Sequence, residues 1–224
     1  MKSALYYLIG LTILGATLCS AQFTPVVAKQ RMIQDELDAD GNVVRHSETL
    51  GTYLRNSSGA TLTQTYSFLN GKRELESGQL FDFDRHKVYA LDYQRHEAVG
   101  RLDLPHKPRP DYMRNARNVL GEETVEGIHC VIGPIFQLRD NGTKRQIGRA
   151  WNSPEYSLSV KRDSILEPPG GPRTHQIVEL YDISFVEPDP NEFALEKNFS
   201  VLQKKSAQEC DKPGAPSALS DPIK

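Results

Sequence analysis

The sequence lacks an excess of basic residues, any spacing typical of a metal site, and more than one tryptophan. Its 224 residues carry 27 Lys and Arg against 29 Asp and Glu, which gives a net charge of -2. Without a basic surface to gather phosphates, nucleic-acid binding is not expected. The six histidines contain no closely spaced pair that could begin a metal site. The composition therefore favours a protein that binds neither nucleic acid nor metal.

Recognisable signatures of catalysis are also missing from the sequence. It contains no Gly-Xaa-Ser-Xaa-Gly nucleophile elbow and no phosphate-cradling glycine loop. Cys130 follows His129, but neighbours on a strand point to opposite faces, so a catalytic Cys–His pair is not expected there. We therefore predict that the chain is not an enzyme and uses no cofactor.

One long apolar run is present, and it lies at the N-terminus. Lys2 precedes the apolar stretch Ala4–Leu18, and the small residues of Cys19–Ala21 follow it. This order is typical of a secretory signal peptide over residues 1–21, cleaved after Ala21. The run is too short for a permanent membrane span. We expect a periplasmic or secreted protein that keeps no stable membrane span after cleavage.

Cysteine is scarce, and only two cysteines remain after the signal peptide is removed, Cys130 and Cys210. Two cysteines in an exported chain favour one disulfide. The bridge would close a loop of about 80 residues and contribute roughly 4 to 5 kcal/mol. Alternatively, Cys130 is a buried apolar residue and Cys210 is a free thiol.

Alternating apolar and polar residues predict a series of strands, separated by turns such as Asp38–Asn42 and Asn56–Gly59. This pattern favours an antiparallel meander with one buried face. One strand, Gln176–Val186, is apolar on both faces and is expected to be central and covered on both sides. The other predicted strands include Val26–Leu37, Val43–Arg55, Thr61–Phe68, Gln79–Asp84, Val88–Tyr93, Ile128–Ile132 and Tyr156–Val160.

Helix signals are few. Asp111 could cap a short helix that continues to Leu120 and ends at Gly121. A one-turn helix is predicted at Asp189–Ala194, with Asp189 as the cap and Pro190 as the first helical residue. No linker interrupts the pattern, so we expect a single β-rich domain over residues 22–203 and a poorly ordered tail over residues 204–224.

The aromatic residues are the part of the sequence that points to a ligand. A curved antiparallel sheet with one apolar face must cover that face by closing on itself or by holding a ligand. An ordinary packed β core is the alternative. If a ligand binds, we expect Trp151, Tyr156 and Phe185 to line its site, with Phe81 and Phe83 opposite.

Four segments resemble exported bacterial proteins of the LolA/LolB-like class: residues 81–92, 123–130, 151–161 and 179–193. They include the Trp-x-Ser-Pro-Glu strand and the Glu-Pro-Asp-Pro-x-x-Phe segment of an uncharacterised branch of envelope proteins. The resemblance implies a mainly β fold, a curved antiparallel sheet or half-open β-barrel with one or two short helices around an apolar cavity. Carriers of that class hold acyl chains in the cavity. None of their gating residues matches a position here, so the resemblance assigns no site residue.

The first functional hypothesis is therefore a periplasmic protein that binds or carries a hydrophobic ligand, a lipid or lipoprotein acyl chain, in an apolar β cavity. The alternative is a structural or sensory envelope module that binds a protein partner through a sheet edge or a polar face, without a small ligand.

Overall fold

A computed structural model describes residues 22–69, 72–83, 85–103, 118–138, 142–168, 170–195 and 199–203. These residues form a single open, curved sheet of 12 strands. The strands are β1 (Val26–Leu37), β2 (Val43–Arg55), β3 (Thr61–Leu69), β4 (Lys72–Asp82), β5 (Lys87–Asp92), β6 (Glu97–Asp103), β7 (Gly121–Val125), β8 (Ile128–Leu138), β9 (Lys144–Ser153), β10 (Leu158–Leu166), β11 (Arg173–Ser184) and β12 (Ser200–Gln203).

The strand order across the sheet is β12-β6-β5-β4-β3-β2-β1-β11-β10-β9-β8-β7. Most neighbours are hairpin partners and therefore antiparallel, whereas β12 joins β6 in parallel. β7 and β12 form the two ends of the sheet in the part of the chain that is described. The prediction of a curved antiparallel sheet is confirmed. The sheet stays open over the described residues and does not close as a barrel, because its two end strands do not pair there.

The sequence located several strands well. β1 and β2 have the predicted bounds, because the Asp- and Gly-containing turn after Leu37 and the turn after Arg55 end them clearly. β11 is central, as expected, since it pairs with β1 on one side and β10 on the other. It is not covered on both faces, however: Leu180 is its only buried residue among those described.

The helix predictions had different outcomes. A 3-10 helix forms at Pro190–Phe193, and the carboxylate of Asp189 caps it by accepting the Asn191 N–H at 2.9 Å. For the helix predicted at 111–120, residues 111–117 lie outside the described part of the chain. Gly121, expected to end that helix, instead begins β7.

Two apolar clusters stabilise the sheet, and they lie on opposite faces of it. Val26 belongs to the first cluster, whereas its neighbour Val27 packs against the second. Because successive strand residues point to opposite faces, the two clusters must do so too. The predicted single buried face is therefore wrong. The first cluster contains Val26, Ala28, Ile128, Cys130, Trp151, Leu158, Val160 and Leu180. The second contains Leu54, Leu62, Leu80, Tyr89, Leu91 and Ala98.

A buried arginine at the end of β2 shows how strongly the sheet curls beside the first cluster. The Arg55 guanidinium donates to the carbonyl of Thr24 at 2.8 and 3.0 Å, of Tyr156 at 2.7 Å and of Ser157 at 2.6 Å. Tyr156 and Ser157 form the turn between β9 and β10, and β10 is three strand positions away from β2. In a flat sheet those strands would be about 14 Å apart. The sheet must therefore curl for this contact to form.

Two strand glycines allow neighbouring strands to approach closely. A Cβ atom on Gly51 would lie 2.1 Å from the carbonyl oxygen of Gln64, and one on Gly148 would lie 2.1 Å from that of Asp163. No side chain fits at such distances, so these positions require glycine. Glycines of this kind commonly mark the bends of curved sheets.

We expect Arg55→Met to destabilise the fold by about 3 kcal/mol, because three buried carbonyl groups would lose their donor. The control is Arg45→Met on the same strand. Arg45 is exposed and pairs with Glu36 at 3.4 Å, so its loss should cost less than about 1 kcal/mol. Urea denaturation followed by tryptophan fluorescence measures both. Equal free energies of unfolding for the two variants would contradict the role assigned to Arg55.

Gly148→Ala should destabilise the sheet by about 2 kcal/mol, because the new methyl group overlaps the backbone of β10. Gly133→Ala on the adjacent strand is the matched control. Its Cβ would meet nothing nearer than the Asn152 side chain at 3.9 Å. The same denaturation experiment should show little change for this control. A Gly148→Ala variant as stable as the control would refute the close approach.

Candidate functional site

The chain between β11 and β12 crosses one face of the sheet. We call residues 185–195 and 199 the crossover segment. β11 pairs with β1, while β12 pairs with β6, so strands β1 to β6 lie between the two ends of the connection. Phe193, Leu195 and Phe199 of this segment pack against the second apolar cluster. The segment therefore covers the face on which that cluster lies.

The crossover segment is attached near its two ends. At the first end, the Glu187 carboxylate accepts the backbone N–H of Ser57 at 3.1 Å and its hydroxyl at 3.2 Å. At the second end, the Phe199 ring meets the Tyr93 ring edge-on, with centroids 5.5 Å apart. Ser200 N–H then donates to the carbonyl of His96 at 2.8 Å. Between these attachments, the segment is held against the sheet by the packing of its side chains on the second cluster.

A cavity of about 220 Å³ lies between the crossover segment and the sheet. Its wall combines apolar and polar groups: leucines, Tyr93 and Phe199 supply the apolar part, and Gln64, Asn191 and Glu192 supply the polar part. The lining residues are Gln64, Leu75, Leu80, Leu91, Tyr93, Asn191, Glu192, Ala194, Leu195 and Phe199. This arrangement suits a small apolar group held between the sheet and the segment.

One polar network reaches the apolar part of this wall. The buried Gln64 amide donates to the Tyr93 hydroxyl at 2.9 Å and accepts from the Thr52 hydroxyl at 2.9 Å. These bonds fix the orientation of the amide and satisfy much of its hydrogen-bonding capacity. A ligand in the cavity would therefore meet leucine side chains, one oriented amide–phenol pair, and the polar side chains of Asn191 and Glu192.

The opposite face of the same strands carries a second, larger and more polar depression of about 650 Å³. Thr63 lines it, and Thr63 neighbours Gln64 on β3, so the two depressions lie on opposite faces. Its charged lining residues are Glu76, Asp92, Arg95 and Glu97. Arg95 is already engaged, because its backbone and side chain both contact Asp92. Hydroxyl and carboxylate groups from several strands thus contribute to the lining of this groove.

Three of the five aromatic residues expected at a ligand site come together at the first cluster. Trp151 is buried there, and its indole N–H donates to Glu123 at 2.6 Å. Tyr156 packs against this cluster and stacks on Phe185, with ring centroids 4.0 Å apart. Arg149 lies 5.3 Å from the Trp151 ring, as does the ammonium group of Lys161.

The other two, Phe81 and Phe83, stack on each other with centroids 6.4 Å apart. None of the five aromatic residues lines the apolar cavity or the polar groove. That they line a ligand site stays a prediction.

Sequence reasoning missed the residues that do line the apolar cavity. Leu75, Leu80 and Leu91 line it, but Leu80 precedes Phe81 and Leu91 follows Ala90, so local alternation does not identify them as one lining face. The one-turn helix at Pro190–Phe193 was recognisable from its cap. No local pattern predicts that this helix would lie over β3, because that placement depends on β12 pairing with β6.

Metal-binding geometry is absent from the described part of the chain, where no three His, Cys, Asp or Glu side chains cluster suitably. Three histidines each contact a carboxylate instead: His46 with Asp35 at 2.6 Å, His175 with Asp163 at 2.8 Å and His129 with Glu122 at 3.2 Å. Over those residues, no helix has the length and apolar character needed to cross a membrane.

Cys130 is a fully buried member of the first cluster, and its thiol contacts the carbonyl of Ile128 at 3.5 Å. Burial raises the pKa of the Cys130 thiol to about 11. Only the thiolate reacts readily with alkylating reagents. Cys210 lies outside the described residues, so the Cys130–Cys210 disulfide stays a prediction.

We expect Cys130 to resist iodoacetamide at pH 8 in the folded protein, because roughly 0.1% of such a thiol is ionised and the sulfur is inaccessible. After denaturation and reduction it should be alkylated fully. Intact mass spectrometry gives the number of groups added, and Cys130→Ser identifies the site. Rapid labelling of Cys130 in the folded chain would contradict its burial.

The predicted Cys130–Cys210 disulfide is tested by a separate mass measurement. Reduction of the bridge should raise the intact mass of the chain by that of two protons, and an unchanged mass would exclude the bridge.

No protein-family model matches the chain, and neither does any curated protein. Solved structures do show a likeness. An uncharacterised conserved protein from Thermus thermophilus is 10% identical, with a TM-score of 0.45 over 81% of this chain and 91% of that one. A LolA superfamily protein from Nitrosomonas europaea is 7% identical, with a TM-score of 0.35 over 76% and 90%.

A putative outer membrane lipoprotein-sorting protein domain from Vibrio parahaemolyticus is 11% identical, with a TM-score of 0.23 over 75% of this chain and 88% of that one. The structures that resemble this chain thus include a LolA superfamily protein. The short motifs on which the sequence resemblance rested stay a prediction. At these identities and TM-scores, the fold assignment rests on the strand pairings of the chain itself.

Proposed function

We propose that this chain is an exported binding protein of the bacterial envelope that holds an acyl chain of a lipid or lipoprotein under the crossover segment. The observation that carries this proposal is the apolar cavity of about 220 Å³ between that segment and the sheet. The predicted signal peptide supports export, and the resemblance to LolA/LolB-like proteins implies acyl-chain binding. The protein acts by binding, and not as an enzyme.

The size of the cavity determines how an acyl chain would enter. Binding sites for drug-sized ligands usually measure about 300 to 1,000 Å³, so the present space is small for a long chain. It can grow if Leu195 and Phe199 move away from the sheet. Their contacts with the second cluster are side-chain packing, so this movement would leave the ladders from β1 to β6 intact. The ligand would replace the apolar contacts that the segment now makes.

The polar network gives the cavity a preferred orientation for such a ligand. Gln64 and Tyr93 are joined by a hydrogen bond of 2.9 Å beside the leucines. An ester or amide at the head of an acyl chain could bond to this pair while the methylene groups contact Leu80 and Leu91. A ligand that carries no such head group should therefore bind more weakly.

The test is native mass spectrometry of the protein isolated from the periplasm, followed by titration with a fluorescent fatty acid. We expect a co-purified lipid, an N-terminus at Gln22, and saturable binding. Ala194→Trp should fill the cavity and weaken probe binding by about tenfold or more.

Ala90→Trp is the matched control, because Ala90 lines the polar groove on the opposite face. It should leave probe affinity within about twofold of the original protein. A protein that carries no lipid and binds no probe would refute the proposal. Equal loss of binding in both variants would place the ligand somewhere other than this cavity.

The polar groove of about 650 Å³ favours a second function, an envelope module that binds a protein partner. Its exposed hydroxyl and carboxylate side chains are typical of a polar interface. Affinity capture from envelope extract distinguishes the two functions. A stoichiometric protein partner that Ala90→Trp abolishes, without bound lipid, would favour the second.

A further inference from the structure

The most exposed large apolar side chains of the described residues lie beside hairpin turns. Leu138 is 68% exposed, Phe68 and Val44 are each 64% exposed, and Val43 is 56% exposed. Single exposed apolar residues are common and need no explanation. Here, however, the four most exposed all occur within a few residues of a turn, in three different hairpins. This clustering at turns does call for an explanation.

The three hairpins place these residues at the same end of the sheet. β1 and β3 run in the same direction, so the β1–β2 and β3–β4 turns share an end. The antiparallel pairings of β1 with β11, β11 with β10, and β10 with β9 bring the β8–β9 turn to that end as well. We call Val43, Val44, Phe68, Phe136 and Leu138 the apolar rim.

Basic residues lie directly across the ladder from the apolar residues of two of these hairpins. Phe68 pairs with Arg73, and Leu138 pairs with Lys144. The guanidinium carbon of Arg73 lies over the Tyr66 ring, 3.5 Å from the ring centre. This contact directs the methylene groups of Arg73 along an apolar surface. Both basic residues are exposed. Each of these two tips therefore combines an apolar side chain with a neighbouring cation.

We propose that the apolar rim docks on the surface of an anionic lipid bilayer. In this mode the apolar side chains enter the boundary between head groups and acyl chains, and the flanking cations contact lipid phosphates. Attraction of Arg73 and Lys144 to an anionic surface adds to the apolar contribution. The β1–β2 tip carries Asp38 and Asp40, so its contribution comes from Val43 and Val44 alone.

A bilayer fits this arrangement better than a second copy of the chain. The β3–β4 and β8–β9 tips are separated by about five strand positions, roughly 24 Å along the sheet. A stable protein interface needs one contiguous patch with a well-packed apolar centre. The rim instead offers separate contact points along one end, and a fluid, planar surface can receive each of them.

The test is flotation of the purified mature chain with vesicles of phosphatidylcholine alone or with added phosphatidylglycerol. We expect binding that increases with phosphatidylglycerol content and decreases with salt. Phe68→Ser with Leu138→Ser should weaken the partition by about tenfold or more. Arg73→Gln with Lys144→Gln should remove the preference for anionic vesicles while leaving weak binding to neutral ones.

Val186→Ser is the matched control, because Val186 is 53% exposed but follows β11 at the opposite end of the sheet. The vesicle partition of this control variant should be within about twofold of that of the original protein. All changed side chains are exposed, and urea denaturation confirms that each variant is folded. Should the double variant be unfolded, the single variants Phe68→Ser and Leu138→Ser replace it.

Two results would overturn the proposal. One is a wild-type chain that does not float with anionic vesicles, and the other is a Phe68→Ser, Leu138→Ser variant that floats as well as wild type. Sedimentation equilibrium without vesicles provides the remaining comparison: a wild-type dimer that the double variant loses would assign the rim to a second copy instead. Fatty-acid binding measured without vesicles reports on the cavity, so failure of either proposal is recognisable separately.

Discussion

Arg55 places a positive charge in the interior, and the curl of the sheet depends on how that charge is satisfied. The carbonyl groups around it come from residue 24 and from residues 156 and 157, which are distant in sequence. A buried guanidinium that lost these acceptors would be costly, since water cannot replace them. The contact therefore fixes the β9–β10 turn against the end of β2. Because β1, β11 and β10 lie along that span, their curvature is fixed as well.

The curled sheet is too wide for one apolar core, and the structure solves this with one cluster on each face. The first cluster is buried by the curl itself. The second cluster lies on one face of strands β2 to β6, and the crossover segment covers it. This cover is a single length of chain and not a second sheet. This difference explains why the candidate ligand site belongs to the second face. A ligand can displace the side chains of a covering segment from the sheet. A face closed by the curl of the sheet, in contrast, cannot open without losing strand pairs.

The sequence predicted strands better than it predicted their surroundings. Alternation and turn residues are local, so the bounds of β1 and β2 and the cap at Asp189 could be inferred directly. The lining of the cavity depends on which distant strands pair, and no local pattern encodes the pairing of β12 with β6. The grouping of Trp151, Tyr156 and Phe185 was expected from the sequence, but their position away from both depressions was not, because it too depends on which strands pair. A curved sheet was predicted, but the positions at which it bends were not, since the need for Gly148 is apparent only beside the backbone of Asp163.

The pairing of β1 with β11 has a consequence for how the chain reaches this structure. Asp35 lies opposite His175, so the two halves of the sheet join through residues separated by most of the chain. The hairpins from β2 to β6 and from β7 to β10 contain local contacts and can form early, but the seam between them must wait until β11 is present. A chain with this topology cannot complete its fold while its C-terminal part is still being made. The last strand pairing to form should therefore be the one between β1 and β11.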